Sequence, residues 1–100
     1  MILNAHEQQA KSRELGNTSF EVPEKVDIGI LEPGRFVKIA IQHGDIVERV
    51  WAKIIRNDTF DSGTLFIQID NEPVLGHGIK LGHKGTIDWQ MVYQVLEQEK

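Results

Sequence analysis

One hundred residues, 40% hydrophobic and 26% charged with a formal net charge of −4, make a chain of single-domain size. No apolar run approaches the ~20 residues that cross a bilayer, and the composition is neither that of a disordered tail nor collagen-like. The absence of cysteine excludes disulfides, thiolate zinc sites, iron–sulfur clusters and a cysteine nucleophile.

The chain opens on a predicted helix. Asn4 and Glu7 have capping-box spacing, and Gly16 offers the stop. Leu3, Ala10 and His6 are all this segment has to bury, so the helix should dock loosely. No basic n-region or long apolar h-region stands at the start, which leads to the expectation of a cytoplasmic protein. Residues 16–34 are irregular. Glu32-Pro33-Gly34 has a type II turn signature, with Gly34 supplying the positive φ. Phe20, Val22, Val26, Ile28 and Ile30 predict a short strand or an arm laid over the core, and this arm is expected to cover Trp51.

The body is β. Arg35–Gln42 is rich in branched residues, with Val37, Ile39 and Ile41 on one face. His43-Gly44-Asp45 is a turn. The second strand runs from Ile46 to Ile55, with Ile46, Val50, Ala52 and Ile54 on one side and Arg49, Trp51 and Lys53 on the other. Asn57–Gly63 reads as a polar hairpin loop, and Thr64–Ile69 as a third strand with Leu65, Ile67 and Ile69 inward. The three form an antiparallel meander. Asn71-Glu72-Pro73 ends the ladder, because Pro73 cannot donate a backbone hydrogen bond. Gly76, Gly78, Gly82 and Gly85 suggest tight turns, a bulge or a barrel corner. The end reads as a helix, with Trp89, Val92, Tyr93 and Leu96 in one apolar stripe and Asp88 or Thr86 as N-cap.

Charge is uneven. Residues 1–34 carry six acidic side chains against three basic ones, while residues 35–89 carry seven of each sign. No Lys/Arg cluster of the kind that binds a phosphate backbone appears, which argues against nucleic acid. His6, His43, His77 and His83 are too scattered in sequence for the three converging ligands that zinc needs, so no metal or other cofactor is expected. Asp58, Asp61, Asp70 and Glu72 read as turn formers. The glycine run at Gly76–Gly82 misses the spacing of a dinucleotide loop, and no helix follows it. Ser12, Ser19 and Ser62 lack a nucleophile-elbow context. No enzymatic constellation emerges. The candidate binding residues are Trp51 between Arg49 and Lys53, with Phe66 on the matching face of the third strand and Lys80 beyond.

Phe36-Val37-Lys38, Glu48-Arg49-Val50-Trp51, Gly63-Thr64-Leu65, Asp70-Asn71-Glu72-Pro73-Val74, Gly78-Ile79-Lys80-Leu81-Gly82 and Ile87-Asp88-Trp89 follow one another in an order that resembles a bacterial family catalogued as domain of unknown function 2314. The resemblance spans residues 35–89. It departs at His83, where the family usually has an aspartate, and in the longer Leu65–Ile69 segment. It implies a compact α+β domain and supplies no catalytic residue.

The expectation is therefore one α+β domain: a strongly curved antiparallel sheet or small partly open β-barrel with an N-terminal and a C-terminal helix. Residues 1–34 form helix and arm, 35–87 the β body, and 88–100 the terminal helix. Its expected role is a non-enzymatic protein-interaction module, monomeric or weakly dimeric, whose acidic N-terminal third suits a basic partner that it regulates or neutralises. The alternative is a small-ligand or nucleic-acid binder working through the Trp/Arg/Lys face.

Overall fold

Alternate branched residues pull the middle of the chain into a sheet, and the computed structural model describes this fold over residues 2–16, 22–70 and 81–96. Strand β1 is Phe36–His43, β2 is Ile46–Asp58, β3 is Thr64–Ile69, β4 is Lys84–Asp88 and β5 is Gln94–Val95. They lie in the order β4-β3-β2-β1-β5, every neighbouring pair antiparallel, in a sheet that does not close. Gly44, at φ +61°, turns β1 into β2. Among the described residues three α-helices accompany the sheet: α1 (Ala5–Glu14), α2 (Lys25–Gly29) and α3 (Thr59–Ser62). The α+β class and the antiparallel sheet expected from sequence are what the chain adopts, and of the two forms expected the described strands make an open sheet.

The inner face carries the core. Val37, Ile39 and Ile41 of β1 meet Val50, Ala52 and Ile54 of β2, followed by Leu65, Ile67 and Ile69 of β3 and Ile87 of β4. Each valine, leucine and isoleucine among them contributes roughly 1.5–3 kcal/mol on leaving water. Ile46, expected inward, is exposed because it lies beyond the end of this core. One irregularity matters. Ile54 pairs with Ile67, but Arg56 pairs with Phe66, so Ile55 is an extra residue and a β-bulge. The bulge keeps Arg56 on the outer face and turns Asn57 inward, opposite Leu65. Strand β2 therefore runs three residues past its expected end, and the expected polar loop contracts to α3 and Gly63, at φ +77°.

The arm is a helix where it covers the core. Asp27 accepts the N–H of Glu24 at 3.0 Å and starts α2. Ile28 and Leu31, three apart, enter the core, whereas Val26 and Ile30 face solvent. The alternation that suggested a strand thus yields to helical spacing. Arg35 N–H reaches the Glu32 carbonyl at 3.2 Å and Gly34 has φ +95°, which is the expected turn. Helix α1 starts where the Asn4 side chain accepts the Glu7 N–H at 3.0 Å. It buries Ala5 and Gln9 rather than Ala10, which is exposed. Ala5 joins Leu3, Val22, Ala40 and Tyr93 in a second, smaller cluster.

The C-terminal helix expected from the apolar stripe is replaced by extended chain. Asp88 caps only one 3₁₀ turn, Trp89–Met91, by accepting the Gln90 N–H at 2.9 Å. Tyr93 N–H then donates to the Lys38 carbonyl at 2.8 Å and Leu96 N–H to the Phe36 carbonyl at 3.0 Å. The open edge of β1 offers backbone partners to an extended segment that a helix could not use. Ile2 extends the same edge by bridging to Ile41. Phe20, residues 71–80 with the Pro73 break, the Gly76–Gly82 run up to Lys80, and residues 97–100 lie outside the described residues.

Candidate functional site

The outer face of the sheet follows from strand alternation. On β2, Arg49, Trp51 and Lys53 project together, opposite the buried Val50, Ala52 and Ile54. Pairing assigns the rest. Trp51 faces Lys38 across β1–β2, and a full cross-sheet row runs Phe36, Lys53, Gln68, Lys84. Below the bulge, Arg56 faces Phe66, which in turn faces Thr86. Arg49, Trp51, Lys53 and Phe66, named from sequence, therefore share one face. Lys80 lies outside the described residues.

Sequence reading missed Phe36, Lys38, Arg56 and Lys84. Lys38 and Arg56 become visible only with the register: the first needs the β1–β2 pairing and the second needs the bulge. The cations sit on rings. The Lys38 ammonium is 4.6 Å from the Trp51 ring centroid, the Arg56 guanidinium 5.7 Å from that of Phe66, and the Arg49 guanidinium 5.2 Å from that of Tyr93. Each such contact is worth about 0.5–1 kcal/mol at an exposed site and holds a long side chain in place. The segment expected to cover Trp51 goes elsewhere over its described part. Ile28 and Leu31 pack into the inner core, and Trp51 is half-buried beneath Lys38.

Among the described residues the face carries a positive excess. Lys38, Arg49, Lys53, Arg56 and Lys84 share it with Asp58, Asp70 and Asp88. Asp58 is taken up by Arg56 at 2.7 Å, and Asp88 by the Gln90 N–H. Among the described residues no carboxylate pairs with Lys38, Arg49, Lys53 or Lys84. Tyr93, at the rim, has its pKa raised by burial, which the Arg49 charge partly offsets.

Other chemistry finds less support. Among the described residues no group of three or more His, Asp or Glu side chains converges as metal ligands would, and no helix is long and apolar enough to cross a membrane. At the open seam between β4 and Ile2, an apolar pocket of about 130 Å³ is lined by Ile67, Ile69, Gly85 and Ile87 among others. That is below the ~300–1,000 Å³ of ordinary small-molecule sites.

No family model, no curated protein and no solved structure matches the chain. Function is read from the face itself.

Proposed function

We propose that this protein is a non-enzymatic interaction module whose outer sheet face receives an acidic segment of a partner protein. The observation that carries the reading is the set of cations held over aromatic rings on one face, with Lys38 on Trp51 as its centre. Such an array is ordered before a partner arrives, so binding loses less side-chain entropy. Carboxylates meeting it would gain steering and register from the charge pattern.

A nucleic-acid reading draws on the same aromatics, Trp51, Phe66 and Phe36. It is the weaker one, because single-strand binders stack bases on open rings, and here Lys38 and Arg56 already occupy the ring faces. The two separate in one titration series with poly-glutamate and oligothymidylate as probes. Binding of poly-glutamate that Lys53→Glu and Arg49→Glu each weaken about tenfold, ~1.4 kcal/mol, supports the acidic-segment reading. Tight oligothymidylate binding with a steep salt slope, abolished by Trp51→Ala, would replace it with the nucleic-acid one.

A further inference from the structure

Helix α2 has two sides. Ile28 is fully buried in the core, while Val26 and Ile30, at helical spacing i and i+4, are 61% and 71% exposed on the opposite side. Phe60 of α3 packs against the same helix at Gly29 and is 62% exposed. Its ring lies directly on the backbone of Gly29, where a Cβ would collide with the ring's Cζ. The absence of a side chain at Gly29 is what lets the ring join the helix. Both helices rest on one amide: Asn57 Nδ2 donates to the carbonyls of Ile28 and Leu31, and its Oδ1 accepts the Thr59 N–H. Three large exposed apolar side chains are thus carried by two short helices that meet at Gly29 and share the Asn57 amide.

Scattered exposed apolar residues need no explanation, but three on a pair of packed helices, one of them aromatic, have the composition of a binding hot spot. Its borders are acidic. Glu24 at the cap of α2, Asp27 within it, Glu32 after it and Asp61 beside Phe60 are all exposed, while Lys25 is the one cation within the two helices and the nearby Arg56 is taken up by Asp58. We propose that this patch docks a basic amphipathic segment of a partner protein. The partner's apolar side chains lie against Val26, Ile30 and Phe60, and its lysines or arginines meet the bordering carboxylates. Charge selects the occupant. A second copy offering the same patch would bring two acidic rims together, and like charges in apposition cost several kcal/mol. The surface is independent of the outer sheet face, since α2 covers the opposite side of the sheet.

The probe is a synthetic helical peptide with leucines along one face and lysines elsewhere, titrated calorimetrically into the full chain beside a counterpart carrying glutamates for lysines. Saturable binding of the lysine peptide is expected, weakened at least about tenfold by Ile30→Ser and by Phe60→Ser. Val26→Ser serves as a third variant should either of these melt early. Glu32→Lys combined with Asp61→Lys should weaken binding at low salt. Trp51→Ala and Lys53→Glu should leave it unchanged, which separates this surface from the outer face. Failure of the lysine peptide to bind, binding untouched by the apolar variants, or equal binding of the glutamate peptide would overturn the proposal. A concentration-dependent dimer that Ile30→Ser abolishes would overturn it in favour of a second copy.

Discussion

The side-chain amide of Asn57 donates to the Leu31 carbonyl at 2.8 Å and joins the far end of β2 to the exit of α2, 26 residues earlier. The same nitrogen reaches the Ile28 carbonyl at 2.9 Å, and the Oδ1 accepts from both the backbone N–H and the hydroxyl of Thr59. Every hydrogen-bonding position of this amide is used.

Asn57→Ala should therefore be among the more damaging single changes outside the apolar core. It strands carbonyls at the end of α2 and the buried Thr59 hydroxyl, each worth roughly 1–3 kcal/mol when left unmatched. A fall in thermal midpoint of about 10 °C or more is expected by calorimetry. Asn57→Asp keeps the acceptor but loses the donors, and should recover only part of the loss.

Trp51 should respond to the charge of a quencher. In a Trp89→Phe background Trp51 is the single emitter, since the chain has two tryptophans. Iodide should quench it better than caesium, because the cations around the ring concentrate anions there. The difference should shrink as salt screens the field over ~10 Å. Lys38→Ala should reduce the preference and lower stability by about 0.5–1 kcal/mol.

Gly29→Ala separates stability from surface shape. Alanine gains up to about 1 kcal/mol of helix propensity over glycine, against which stands displacement of the Phe60 ring. Phe60 is largely exposed and can swing aside. The midpoint should stay within a few degrees of the parent, while the Phe60 ring resonances shift in an NMR spectrum.

Tyr93 is the only tyrosine, so its ionisation can be followed directly by ultraviolet absorbance. Burial raises its pKa above 10.0, and Arg49 pulls it partly back. A raised value in the folded state means that folding favours the neutral phenol. That contribution is whole below pH 10.0 and disappears as pH rises through the folded value. Arg49→Gln should move the absorbance transition to still higher pH, with no change in stability near neutrality beyond the lost ring contact.

Much of the sheet was legible because alternation is a strong signal. Val37, Ile39 and Ile41 or Leu65, Ile67 and Ile69 admit few readings, and Arg49, Trp51 and Lys53 fall on the other face by the same rule. The bulge was not legible, since Ile55 looks like any other branched strand residue; only the pairing of Arg56 with Phe66 reveals it. The terminal segment misled for a different reason. Trp89, Val92, Tyr93 and Leu96 satisfy helical spacing, yet the open edge of β1 supplies backbone partners that no local pattern announces. At α2 the error reversed: Val26, Ile28 and Ile30 alternate, but only Ile28 has a core to enter.

The bulge makes β2 change parity: even-numbered residues point to the core as far as Ile54, and odd-numbered ones after it. Loss of one residue at Ile55 would restore a regular strand with every remaining side chain still on its own side. Loss of one residue between Val50 and Ile54 would instead bring a lysine or tryptophan to the core and an alanine or valine to the surface. Strand β2 can thus shorten by one at a single point, and there the change falls on the bend of the sheet rather than on its pattern.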